Sequence, residues 1–309
     1  MKISLLGVSR SGKTCYISAM SQIVKNCKLS NGQLLSIKEN NTSRQLELDN
    51  NFMTMVTENR WPKNTDITTA YNFRMQYNGN DSQKFNIDSL EIDDYRGGVL
   101  TAIGNTADKD RKDFLKSMSD TAVILFLIDG TTILNAMDNL DKAVEHRDIA
   151  TNAEILAARN EISIMENILY NYAHEGNKQR ELPPIMVVVT KSDVFASEEE
   201  YQNGVKKVKE LLPSLFLPGS NVFVAITKVS LGSNLEKDVN GGIIGSLDIS
   251  TRNNVHIPML FAVYAYLDAT YEEYDGAKKK NVDKIMYSLR SEFSNKVKFY
   301  SNGREAFAV

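Results

Sequence analysis

The loop Gly7-Val8-Ser9-Arg10-Ser11-Gly12-Lys13-Thr14 constrains this chain more than any other feature. It follows a short apolar run, Lys2 to Leu6, and opens into a segment with helical character from Lys13 to about Cys27. The pattern G-x-x-x-x-G-K-[ST] between a strand and a helix is that of a phosphate-binding loop. Glycines let successive backbone N–H groups curl around phosphate oxygens at the positive end of the helix. Lys13 is placed to reach the β- and γ-phosphates, and the Thr14 hydroxyl to ligate Mg²⁺. Gly7, Ser9, Arg10, Ser11, Gly12, Lys13, Thr14 and Cys15 are therefore candidate phosphate-side residues. ATPases, kinases and GTPases share such a loop, so it does not name the base.

The rest of the chain alternates strands with helices. Tyr71, Phe73, Met75 and Tyr77 alternate with polar residues, and Asn78-Gly79-Asn80-Asp81 reads as a hairpin turn. On the returning strand Phe85 and Ile87 give way to Leu90 and Ile92, a slip by one that predicts a bulge. Ala122 to Ile128, Ile185 to Val189 and Val222 to Ile226 read as fully buried strands. Helices are predicted around Ser43 to Thr57, from Glu154 to His174, from Glu198 to Leu212, from Pro258 to Tyr271 and from Asn281 to Tyr300. In the last, Val282, Ile285, Met286, Leu289, Phe293 and Val297 share one face. Strands alternating with helices imply a mostly parallel sheet covered on both faces, with the early hairpin adding an antiparallel edge strand.

Two further elements bear on the ligand. Thr190-Lys191-Ser192-Asp193 directly follows a buried strand, and Asp94-Tyr95-Arg96-Gly97 closes the second hairpin strand. With the phosphate loop upstream, these resemble the [N/T]-K-x-D and D-x-x-G elements of the TRAFAC-class P-loop GTPases. Trp61-Pro62-Lys63-Asn64-Thr65 resembles the W-P-x-x-T switch I segment of a bacterial branch of Ras-like small GTPases. The resemblance covers roughly residues 1–230, without the detail of 31–60 and 131–180. It implies a Ras-like G domain: a mostly parallel six-stranded sheet with one antiparallel edge strand, helices on both faces, and extra C-terminal helices. It implies GTP and GDP as ligands with Mg²⁺. Asp193 would accept hydrogen bonds from guanine N1–H and the 2-amino group, a donor pair adenine lacks, with the Lys191 stem over the ring. Thr14, Thr65 and Asp94 would hold Mg²⁺, with Thr68 and Thr69 as alternatives to Thr65. Lys13, Thr65 and Gly97 would surround the γ-phosphate, and Thr190, Thr227 and Lys228 would lie on the base side. There Ile226-Thr227-Lys228-Val229-Ser230 occupies the place of an S-A-K-like turn without matching it, so backbone contacts are expected and side-chain roles stay open.

The chain departs from the family where hydrolysis is concerned. Gly98 stands where a Ras-like switch has the glutamine that orients the attacking water. Intrinsic hydrolysis is therefore expected to be slow unless a residue enters from elsewhere. Arg96 is either a charge donor or a solvated loop arginine. Ser9 replaces a glycine that leaves room for a partner's arginine, and Arg10 replaces the asparagine of potassium-dependent relatives. Two function classes follow: a switch whose GTP and GDP forms bind different protein effectors, or a GTP-binding structural or interaction protein that hydrolyses little. An ATP-driven enzyme is opposed by Asp193.

The bulk numbers limit partners and location. A net charge of −3 gives no general attraction to nucleic acid. Residues 276–309 hold eight Lys and Arg against three acids, so this tail is five positive and the remainder, with the whole at −3, is −8. We expect residues 1–275 to form the nucleotide domain with insertions, and 276–309 a basic amphipathic helix packed on it. Lys278-Lys279-Lys280 fits a solvated helix start or contact with a membrane surface or an acidic partner. Cys15 and Cys27 suggest no disulfide framework, the N-terminal apolar run is too short for a signal peptide, and the chain reads as cytoplasmic. The longest apolar stretch, Ile257 to Leu267, is too short for a transmembrane span. His146, His174 and His256 are scattered and suggest no metal site or catalytic triad.

Overall fold

The computed structural model describes residues 1–8, 10–29, 32–62, 68–78, 84–95, 112–137, 152–174 and 181–306. The strands are β1 (Lys2–Gly7), β2 (Cys27–Lys28), β3 (Leu34–Glu39), β4 (Thr69–Asn78), β5 (Lys84–Asp94), β6 (Val123–Asp129), β7 (Ile185–Thr190), β8 (Phe223–Lys228), β9 (Gly232–Lys237), β10 (Ile243–Leu247), β11 (Val297–Ser301) and β12 (Arg304–Ala306). The first helices are α1 (Lys13–Ile23) and α2 (Thr42–Val56), and later helices are named by their residues.

Ten strands form one sheet in the order β12-β11-β8-β7-β6-β1-β5-β4-β3-β2. Its centre is parallel: β5, β1, β6, β7 and β8 run the same way. These are the near-continuous apolar runs, and VILFLID of β6 and IMVVVT of β7 are buried at every position, as parallel strands covered on both faces must be. β4 lies antiparallel to β5, and the predicted bulge is there, since Phe73 faces Leu90 while Met75 faces Ile87.

The sheet does not stop at those six strands, which corrects the expectation of six with a single antiparallel edge strand. β3 and β2 continue it beyond β4, and β11 and β12 beyond β8, all antiparallel. An open edge strand leaves a row of backbone donors and acceptors, and the added strands cover both edges. β11 also corrects the last predicted helix. The helix runs Gly276–Phe293, Asn295 turns the chain with φ 59°, and Val297 belongs to the strand.

Each face of the sheet carries its own apolar layer. On one side lie α1, the helix Ile257–Ala269 and the helix Gly276–Phe293, whose Val282, Ile285, Met286, Leu289 and Phe293 all join the same core. On the other lie Phe114, the helix Asn152–His174 and the helix Glu198–Leu211. Burying a side chain such as Leu289 or Phe293 contributes about 1.5–3 kcal/mol each, so the C-terminal helix is firmly anchored. Its basic start is solvated in part: Lys278 is exposed, while Lys279 pairs with Glu272 at 3.0 Å. No helix among the described residues is long and apolar enough to cross a membrane.

Candidate functional site

The C-terminal ends of the parallel strands carry the candidate residues, where an open α/β sheet places its ligand. β1 ends at Gly7, packed so closely on β6 that a Cβ would lie 2.8 Å from the Leu127 carbonyl oxygen. Two residues then take left-handed conformations, Arg10 at φ 64° and Gly12 at φ 81°. Gly12 is the N-cap of α1, and no side chain caps that helix. A helix start of this kind, with its first N–H groups uncapped by a side chain, is suited to an anion.

Lys13 is 8% exposed, and its Nζ donates to the Gly7 carbonyl at 2.8 Å and the Val8 carbonyl at 3.3 Å. Burial lowers its pKa, opposed by the nearby charges of Asp94 and Glu161. Asp94 ends β5, flanked by Leu5 of β1 and Thr69 of β4. It is 2% exposed, and burial pushes its carboxyl up to about 6, against the pull of Lys13. Its Oδ1 is buried without a partner among the described residues. The neighbours hold it in place: Asp93 pairs with Lys2 at 2.9 Å, and the Tyr95 hydroxyl shares a 2.8 Å hydrogen bond with Ser117. Burial also pushes the Cys15 thiol up to about 11, so it is uncharged at neutral pH.

At the other end of the loop lies the T-K-x-D element. The Thr190 hydroxyl donates to the Ser11 carbonyl at 2.7 Å and the Ile128 carbonyl at 3.2 Å, tying β7 to the phosphate loop. Lys191 sits at φ 50°, and its Nζ donates to Asp129 Oδ2 at 2.5 Å. Asp193 Oδ2 accepts the Leu235 N–H at 2.9 Å, while Oδ1 is buried without a partner among the described residues. Burial raises the Asp193 pKa, opposed first by that amide. Asp193 caps no long helix; the helix that follows starts at Glu198 and is capped by Ser197, whose side chain accepts the Glu200 N–H.

Thr227 and Lys228 present their side chains elsewhere. The Thr227 hydroxyl donates to the Lys296 carbonyl at 2.9 Å, and Lys228 pairs with Glu198 at 2.5 Å above the ring of Tyr201. The backbone of this turn meets the T-K-x-D element, with the Val229 carbonyl accepting the Ser192 N–H at 3.2 Å. Ser9, Thr65, Arg96, Gly97 and Gly98 lie outside the described residues. Of the alternatives to Thr65, Thr68 is exposed and Thr69 is 2% exposed, directly opposite Asp94.

No family model matches the chain, and no curated protein matches it in sequence. Among solved structures it is similar to nucleolar GTP-binding protein 1 of Plasmodium falciparum, with 13% identity over 74% of this chain and 76% of that one, at a TM-score of 0.29. It is also similar to an ADP-ribosylation-factor-like GTP-binding protein, the small COPII coat GTPase of Encephalitozoon cuniculi in complex with GDP. There the identity is 9% over 95% of this chain and 82% of that one, again at a TM-score of 0.29. At that distance only this chain's own side chains can argue its function.

Two site features escaped the sequence. Asp129 ends β6 beside Thr190, is 7% exposed, and accepts both the Thr131 N–H at 2.8 Å and Lys191 Nζ. An acidic residue closing an apolar strand was the visible signal. The Leu235 amide carried none, because a backbone donor has no residue type.

Proposed function

We propose that this chain binds GTP and GDP with Mg²⁺ and works as a nucleotide-dependent switch that hydrolyses GTP slowly. One observation carries the reading. Two carboxylates, buried Asp94 and partly buried Asp193, border opposite ends of one left-handed loop whose helix has no side-chain cap, each with a buried oxygen that finds no partner among the described residues. Such an oxygen is costly to bury unless a ligand meets it.

Each group fits a part of a guanine nucleotide. The loop amides and the Lys13 ammonium suit the β- and γ-phosphates. The Thr14 hydroxyl and the Asp94 carboxylate are hard oxygen donors of the kind Mg²⁺ takes, with Thr65, Thr68 or Thr69 as the further protein ligand. Bound there, Mg²⁺ neutralises charge on the phosphate oxygens. Asp193 suits the paired N–H donors of guanine, and Lys191, held by Asp129, lies beside them. Two of the three Lys13 donors bond the Gly7 and Val8 carbonyls, so the loop itself occupies most of the ammonium until an anion arrives. The W-P-x-x-T segment makes the bacterial Ras-like branch the preferred relative, and effectors that distinguish the two nucleotide forms the expected partners.

Gly98 supports a second reading, a GTP-binding interaction protein with almost no turnover, since it has no side chain to orient water. Two measurements on the purified full chain decide. Titration should give GDP binding at least about a hundredfold tighter than ADP, given a site that hydrogen-bonds guanine's donors; equal affinities would sink the guanine assignment. Multiple-turnover assay with GTP should then show slow phosphate release. Release no faster than in buffer would leave the interaction protein as the answer.

A further inference from the structure

β9 and β10 form a two-stranded hairpin separate from the ten-stranded sheet. Its ladder breaks in the middle. Ile244 faces Glu236 and Ser246 faces Ser233, so Gly245 alone stands against both Asn234 and Leu235. Asn234 is left-handed at φ 51°, and Gly245 has φ 101°. A bulge of this kind takes one amide out of the ladder and re-aims it. The re-aimed amide is that of Leu235, which donates to Asp193 Oδ2. The geometry depends on glycine: a Cβ at Gly245 would lie 2.2 Å from the Asn234 carbonyl oxygen, and one at Gly232 2.0 Å from that of Ser246.

The other side of the hairpin holds the segment before residues 63–67. The Ile243 N–H donates to the Asn59 carbonyl at 2.8 Å, and Asn59 Nδ2 returns a 2.8 Å bond to the Ile243 carbonyl. The Trp61 amide donates to the Gly241 carbonyl at 3.1 Å, and its indole Nε1 to the Glu236 carbonyl at 3.3 Å. Arg60 bridges to Gly242 and reaches the Asn240 carbonyl at 3.3 Å. One small hairpin thus touches Asp193 and carries Asn59–Trp61.

A carboxylate offers about four acceptor positions. The Leu235 amide uses one on Oδ2, and the backbone amide of Asp193 also lies against the carboxylate, leaving the buried Oδ1 to face a ligand. Resting on the guanine reading above, we propose that the bulged hairpin is the positioning element for base recognition: it orients Asp193 toward the guanine N1–H and 2-amino donors and moves Asn59–Trp61 with it. Leu235 and Asn234 are positioning residues, acting through Asp193.

The test uses the full chain with Mg²⁺ and compares Asn234→Val with Asn234→Gly. Asn234 is exposed, so neither change touches the core. Valine resists a positive φ and should flatten the bulge, whereas glycine keeps it. Affinities are measured for GDP, ADP and inosine diphosphate, which lacks the 2-amino group. Asn234→Val should lose GDP affinity on the order of tenfold, the worth of a hydrogen bond to a charged group. It should also lose most of the preference for GDP over inosine diphosphate, and the change in Trp61 emission on GDP binding should shrink. Asn234→Gly should match wild type in all three. If Asn234→Val does not fold, Gly245→Ala makes the same test through the 2.2 Å clash. A wild type that binds ADP as tightly as GDP would remove the guanine reading and this proposal with it. A wild type that prefers guanine, with Asn234→Val unchanged in affinity and base preference, would overturn the proposal alone.

Discussion

At the proposed phosphate end, Gly7, Ser11, Gly12, Lys13 and Thr14 all fall within one stretch of loop and helix start. At the base end, Lys191 is held by Asp129, 62 residues away, and Asp193 by the amide of Leu235, 42 residues away. The first region is local backbone geometry: left-handed φ at Arg10 and Gly12, and a helix that begins uncapped. The second is tertiary assembly. The strands β6 and β7 and the hairpin β9–β10 must all be docked before Lys191 and Asp193 find these partners. Loss of a local part should therefore abolish one contact outright. Loss of a tertiary part should change selectivity first.

The largest effect is expected at Lys13. Lys13→Ala removes a charge that no neighbour replaces, because Arg10 lies at an exposed point of the loop. Affinity for the triphosphate should fall by about a hundredfold or more. Titration calorimetry with a non-hydrolysable GTP analogue checks this, and micromolar-or-better binding by the variant would refute the phosphate-loop reading. Asp193→Asn probes the base end. GDP affinity should drop about tenfold to a hundredfold, from losing a charged acceptor and leaving donors unpaired. Xanthosine diphosphate should gain, since the amide can donate to the carbonyl at position 2. A variant that weakens both nucleotides equally would show that the base end acts only through the fold.

Asp94→Asn gives the smallest change and separates stability from ligand binding. With neither Mg²⁺ nor nucleotide present, the folded chain holds the Asp94 proton up to about pH 6, whereas an unfolded aspartate releases it near pH 4. Between those values the folded state binds the extra proton. Wild-type stability should therefore rise as pH falls from 7 to 5, by about 1–2 kcal/mol from this group. Asp94→Asn should be more stable than wild type at pH 7 by a similar amount and should lack that increment. Its nucleotide affinity should no longer respond to Mg²⁺. Denaturant melts at pH 7 and 5 decide the first point; parallel pH profiles for the two proteins would show that Asp94 is not the group.

How much could be read beforehand followed the same division. The central strands announced themselves through buried apolar runs, and the slip between Ile87 and Leu90 marked a real bulge opposite Phe73 and Met75. β3 was missed because LLSIKE sits in a polar stretch, and its buried Glu39 looks like a surface residue. Val297 stands one helical turn after Phe293, and only the open edge of β8 makes it a strand. β9 and β10 are mostly exposed, so burial imposes no alternation on them. Thr227 and Lys228 close β8, and their side chains are taken up by Lys296 and Glu198, partners that only the packing reveals.

The sequence by itself determined the loop from Gly7 to Thr14, because it is made by consecutive residues whose φ and ψ depend on glycine and on the start of a helix. It also determined that carboxylates close β5 and follow β7, since strand ends can be counted from apolar runs. Only the tertiary structure decided that Asp129 pairs with Lys191 and that the Leu235 amide bonds Asp193. Those contacts join distant strands, and one of them is made by a main-chain amide. Every residue but proline carries that donor, so its direction is set by a bulge and by what packs beside it.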